Sequence, residues 1–209
     1  MNTINEMLSG LNRSEFADYE YLVLMGISTG GPKTLNSVLQ KIDPNWSATY
    51  VIVQHMLPGF TKNLAHRLDE SSNIIVKEAE HGEKLKKGVA YIAEAGKHLR
   101  IINSNTPEIA ISDEEPYQSH KPSVNIMVSS VAKLKIKKKL IGVIMTGMGS
   151  DGLEGFLELK KENRCIIIAQ DKDTSTVYGM PRAIVNAGIA DYVVPENDIA
   201  MKLKMIMGG

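Results

Sequence analysis

Apolar residues along this chain gather into short runs separated by stretches of helical periodicity. "YLVLMG" at 21–26, "TYVIVQ" at 49–54, "NIIVKEA" at 73–79, "LIGVIMT" at 140–146, "CIIIAQ" at 165–170 and "ADYVVP" at 190–195 predict strands. Several are apolar at consecutive positions, as parallel strands buried on both faces require. Helices are predicted between them at about 32–41, 60–70, 122–134, 152–162, 181–187 and 196–207, with Pro32 and Pro122 placed as first-turn prolines. This alternation predicts an α/β fold, a doubly wound and mostly parallel sheet flanked by helices. The segment 88–112 departs from the rhythm with alternating β-rich pieces, and an appended antiparallel hairpin or small meander is expected there. Residues 112–121 read as a polar surface loop. Residues 1–19 read as a lead-in or linker, leaving 20–209 as one domain.

Composition narrows the class. The chain has 209 residues, 43% of them hydrophobic, enough for one full core. Twenty-four basic residues balance twenty-four acidic ones, so no global field points to nucleic acid or an anionic membrane. The basic run "KLKIKKK" at 133–139 has no interleaved aromatics and reads as the solvated end of a helix. The single cysteine, Cys165, opens an apolar strand and reads as a buried hydrophobe rather than a nucleophile or metal ligand. With neither a signal-like start nor a run of membrane-spanning length, a cytoplasmic protein is expected, with no direct membrane insertion.

Candidate chemistry lies where the predicted strands end, because open α/β sheets meet their ligands at the carboxyl ends of the strands. One such end is Gly147-Met148-Gly149-Ser150-Asp151-Gly152, which spells the G-x-G-x-x-G dinucleotide pattern, with Asp171 about 20 residues on. Asp151 opposes that reading, since its carboxylate would stand where a helix N-terminus should receive phosphate. A second end, Gly26-Ile27-Ser28-Thr29-Gly30, matches G-x-S-x-G, and a third carries Gln54-His55. A serine hydroxyl needs a base to take its proton, and a carboxylate to orient that base. Ser28, His55 and Asp151 supply this set, in a chain order unlike that of α/β-hydrolases. The glycines at 147, 149 and 152 would let backbone N–H groups approach a reacting carbonyl, with Met148 a candidate oxyanion donor. Each residue also has a plain reading. The serine motif alone is weak, His55 could be structural, and Asp151 could cap the helix beginning near Leu153. Composition and spacing leave a serine hydrolase and a nucleotide binder both open.

The motifs "GISTGGP", "VIVQHM", "YIA", "KPSVN", "GVIMTGMGSDG" and "AQDKDTSTVYGMPRAIVNAG" together resemble the catalytic domain of the CheB family, the receptor methylesterases of bacterial chemotaxis, over about residues 20–200. The resemblance implies a cytoplasmic serine hydrolase of chemotactic signal transduction. It would act as a protein-glutamate methylesterase, removing methyl groups from glutamate γ-methyl esters on the cytoplasmic helices of methyl-accepting chemoreceptors. Deamidation of receptor glutamines is also implied, whereas no metal, organic cofactor or nucleic acid is. The family's catalytic serine, histidine and aspartate fall on Ser28, His55 and Asp151, with the Met148 N–H as oxyanion donor and Thr29 in support. A catalytically silent receptor-docking module and a nucleotide-binding α/β protein are the alternatives.

The chain departs from the family pattern in places. Tyr91-Ile92-Ala93 is followed by Glu94-Ala95-Gly96 instead of Pro-Gly, and Lys121-Pro122-Ser123-Val124-Asn125 stands for Arg-Pro-Ser-Val-Asp. Lys lacks the guanidinium fork and Asn lacks the carboxylate charge, so both changes are expected to bear on receptor contact. His98 and His120 are candidates for the rim of the cleft, and His66 and His81 for surface or structural positions. The family usually carries an N-terminal receiver domain, which about 20 residues cannot hold. The expectation is an esterase free of that switch, one governed by a regulatory partner, or a fragment.

Overall fold

In the computed structural model, which describes residues 19–134, 136–161 and 165–208, seven parallel strands form one sheet. The lead-in expected over 1–19 lies almost wholly outside the described residues. The strands of this sheet are β1 (Tyr21–Ile27), β2 (Ala48–Gln54), β3 (Ile75–Glu78), β4 (Val89–Ile92), β7 (Lys139–Ile144), β8 (Cys165–Gln170) and β9 (Tyr192–Val194), in the spatial order β3-β4-β2-β1-β7-β8-β9. Two further strands, β5 (His98–Ile102) and β6 (Glu108–Ser112), pair antiparallel as a separate hairpin. The helices are α1 (Gly31–Leu39), α2 (Thr61–Ser71), α3 (Val124–Ala132), α4 (Leu153–Lys161), α5 (Met180–Asn186) and α6 (Ile199–Met207).

The central strand explains the consecutive apolar runs. Every residue of β1 is buried, and successive side chains enter opposite layers. Leu22 and Leu24 join a core with Val128 of α3, Phe156 of α4, Ile184 of α5 and Leu99 of the hairpin. Val23, Met25 and Ile27 join a second core with Leu35 of α1, Leu64 of α2 and Leu203 of α6. Helices therefore cover both faces, which is the doubly wound arrangement expected. Among the described residues no helix is long and apolar enough to cross a membrane.

Two expectations need correction. Val89–Ile92, expected within the hairpin or meander of 88–112, instead enters the main sheet between β3 and β2, and only 98–112 forms the hairpin. A short apolar run shows that a strand exists but not with which strand it pairs. Pro122 is not in the first turn of α3, because Ser123 is the N-cap and accepts the Ile126 N–H, so Pro122 precedes the cap.

The chain walks from β1 to β2 on one side, whereas β7, β8 and β9 extend the sheet on the other. The order thus reverses at β1, and the crevice at the carboxyl ends of β1, β2 and β7 is where such sheets bind ligands. Ser28, His55 and the turn 147–152 follow those three strands.

Candidate active site

The turn after β1 is tied into the sheet through its backbone. The Ser28 N–H donates to the Thr146 carbonyl at 2.9 Å, and the Gly31 N–H donates to the Ser28 carbonyl at 2.8 Å. On the neighbouring strand, the buried amide of Gln54 donates through Nε2 to the carbonyls of Ser28, at 3.0 Å, and His55, at 2.8 Å. One side chain thus ties together the two strand ends that carry a candidate nucleophile and a candidate base. Gly31 has to be glycine for this, since a Cβ there would stand 1.8 Å from Gln54 Oε1. The sequence pattern places Gln54 beside His55 but does not predict this brace. The third strand end comes equally close. A Cβ on Gly147 would lie 2.7 Å from Ser28 Cβ and 2.5 Å from Met180 Sδ, so only a glycine lets the Gly-rich turn close on Ser28.

His55 Nε2 lies 2.8 Å from Asp151 Oδ2, with the histidine side chain 12% and the aspartate 1% exposed. Asp151 is held from several directions. Ser123 Oγ donates to it at 2.8 Å, the Val124 N–H at 2.7 Å and the Asn125 N–H at 3.0 Å. Burial pushes its carboxyl pKa up. The hydrogen bonds from His55, Asn125, Val124 and Ser123 outweigh that and hold it below the usual carboxylate range. Asp151 is therefore a buried, ionised, fully engaged acceptor.

Asp151 does not cap the helix that follows it, contrary to its plain reading. Its carboxylate meets the first N–H groups of α3, and α4 is capped instead by Asn125 Oδ1, which accepts the N–H groups of Gly152 and Gly155 at 3.0 Å each. Of the segment 121–125, whose Lys121 and Asn125 are expected to bear on receptor contact, residues 123–125 thus form the socket of Asp151. Only Lys121 faces outward, to Asp113 at 2.5 Å.

Ser28 lies at the same edge, although among the described residues its hydroxyl makes no hydrogen bond to His55. His55 Nδ1 is buried without a partner among the described residues. Against the His55 ring lies that of His120, with centroids 4.3 Å apart and planes at 26°. Of the two rim candidates only His120 reaches the site, since His98 is buried and bonded through Nε2 to the Glu115 carbonyl. His81 Nδ1 accepts the Ile111 N–H, and His66 lies in an exposed contact with Glu70. Met148 is 72% exposed, and among the described residues nothing accepts its N–H. Met180, by contrast, is fully buried. The Thr29 carbonyl accepts the Thr146 hydroxyl at 2.9 Å. Asp171 closes its own loop, accepting the N–H and hydroxyl of Thr174. Burial raises the Cys165 thiol to about 12, consistent with a packed hydrophobe.

This geometry can be set beside known proteins. The family model described as CheB methylesterase matches residues 23–203. A Geobacillus kaustophilus protein named protein-glutamate methylesterase/protein-glutamine glutaminase is 44% identical over 188 residues, covering 90% of this chain and 54% of the relative. One of the same name from Thermotoga maritima is 42% identical, covering 87% of this chain and 53% of the relative. The chain spans about half the length of the curated relatives it matches. The crystal structure of the Thermotoga maritima CheB methylesterase catalytic domain superposes with a TM-score of 0.85 at 40% identity, covering 90% of this chain and 98% of that one. By family model, sequence and fold together, this chain belongs to the CheB methylesterase family.

Proposed function

We propose that this chain is a serine hydrolase that removes methyl groups from glutamate γ-methyl esters of chemoreceptor cytoplasmic helices and deamidates receptor glutamines. The observation that carries this reading is the His55–Asp151 hydrogen bond at a strand end braced to the Ser28 turn by Gln54. The names of the relatives, which pair methylesterase with glutaminase, give the substrate class.

Because His55 Nε2 faces the ionised Asp151, Nε2 carries the proton and Nδ1 the lone pair. Nδ1 is therefore the atom proposed to take the Ser28 proton as the hydroxyl attacks the ester carbonyl. The bond formed is Ser Oγ to acyl carbon, and the tetrahedral oxyanion is met by the Met148 N–H, with Thr29 supporting the turn. A donor of this kind is worth roughly 3 kcal/mol of barrier. Collapse expels methoxide, which leaves as methanol with the proton from His55. Water then attacks the glutamyl ester of Ser28 by the same route, returning the serine and a glutamate carboxylate. From glutamine the first leaving group is ammonia. Asp151 stays ionised throughout and stabilises the imidazolium.

Methanol release from a methylated chemoreceptor cytoplasmic fragment tests the reading. The wild-type chain should release it, and Ser28→Ala should release it at least about a thousandfold more slowly while remaining folded. Equal rates would remove Ser28 from the mechanism.

A further inference from the structure

Beside the Gly-rich turn lies an open pocket of about 500 Å³, lined by Met148, Gly149, Lys172, Tyr178, Gly179 and Arg182 together with Val177. It shares the Gly-rich turn with the candidate site, through Met148 and Gly149. Gly147, which packs against Ser28, precedes Met148 of the pocket lining, and the Gly179 and Met180 N–H groups both donate to the Gly147 carbonyl, at 3.0 and 2.9 Å.

The lining holds two cations and no carboxylate. Among the described residues neither Lys172 nor Arg182 forms an ion pair or hydrogen bond, and both are exposed. The acidic neighbours of Lys172 in the chain are Asp171 and Asp173. The first is occupied by Thr174, and neither lines the pocket. The chain as a whole is neutral, so this pair beside the candidate oxyanion donor is a local field rather than part of a basic surface.

We propose that this pocket is a specificity subsite that receives a carboxylate side chain of the same polypeptide that presents the ester. A second glutamate on the substrate would be held by Lys172 and Arg182 while its esterified neighbour lies over Ser28. This rests on the esterase reading and adds to it a preference for esters in acidic surroundings. An Arg fork and a Lys ammonium on one carboxylate favour binding and encounter of the acidic segment over a neutral or basic one. Since both cations are exposed, the preference should be modest and screened by salt.

The test uses two helical peptides carrying one glutamate γ-methyl ester, flanked by Glu in one and by Lys in the other, and reads the ratio of their kcat/KM values. The wild-type chain should favour the Glu-flanked peptide by about tenfold at low salt, with the ratio falling toward one near 1 M salt. The Lys172→Glu/Arg182→Glu double variant should invert the ratio, an outcome that loss of folding cannot mimic. A wild-type ratio near one, or a ratio unchanged in the double variant, would overturn the subsite. If neither peptide is cleaved by the wild-type chain, the esterase reading fails separately. The subsite is then read from fluorescence anisotropy of the same labelled peptides, where the same preference and inversion are expected and their absence would sink it.

Discussion

Asp151 and Asn125 cap each other's helices. The Asp151 carboxylate accepts the Asn125 N–H at 3.0 Å at the start of α3, and Asn125 Oδ1 accepts the Gly152 and Gly155 N–H groups at the start of α4. The aspartate hydrogen-bonded to His55 is thereby fixed by two helix N-termini, each of which presents N–H donors and a favourable dipole to it or its partner. The exchange couples fold stability to the geometry of the site.

Asn125→Ala should therefore be costly twice over. It strands two buried N–H groups, for a loss of about 1–3 kcal/mol, and frees the backbone that holds Asp151. Asn125→Asp keeps the acceptors and removes the buried Nδ2 donor, which has no partner among the described residues. Urea unfolding should rank wild type and Asn125→Asp above Asn125→Ala, with ester hydrolysis following the same order. Equal stability of the two variants would show that the two N–H groups do not depend on Asn125.

Asp151 also links stability to acid. Its carboxyl is held below the usual range despite burial, so the unfolded chain takes up that proton more readily than the folded one. The contribution is fully present above the unfolded value of about 3.9 and is lost as pH falls through the depressed folded value. Asp151→Asn, which cannot titrate, should flatten the dependence of unfolding free energy on pH in that acid window. At neutral pH the same variant should lower kcat by about four orders of magnitude, as loss of an orienting carboxylate does. An unchanged acid profile would mean that other carboxyls set it.

His120 contributes a ring face to His55. Stacking of this kind is worth about 0.5–1.5 kcal/mol, which corresponds to a loss of about two- to tenfold in kcat/KM for His120→Ala. His120→Phe, which keeps a ring, should recover most of the loss. Equal losses in both variants would indicate that the imidazole acts through its nitrogens instead.

Much of this arrangement is legible in the sequence because it depends on local chemistry. Consecutive apolar residues in "YLVLMG" and "CIIIAQ" mark strands of the parallel sheet's interior, each paired on both sides. The candidate residues at 28, 55 and 151 stand out because each follows such a run. What misled was pairing: "VAYI" stands next in the chain to the hairpin segment and reads as part of it, yet it is buried throughout and its partners are β2 and β3. A four-residue apolar run is too short to say which strands it pairs with.

The sequence by itself determined which segments form strands and helices and which side chains stand at the strand tips, because propensity and periodicity act over a few residues. Tertiary structure alone decided who meets whom. Asp151 lies next to Leu153 in the chain, yet it serves the N-terminus of α3 some 26 residues earlier. Gln54 joins two turns, His120 reaches His55, and Lys172 and Arg182 converge on one pocket. These contacts follow from strand order and helix placement, which are fixed when the whole core closes and the long-range packing of every element is satisfied at once.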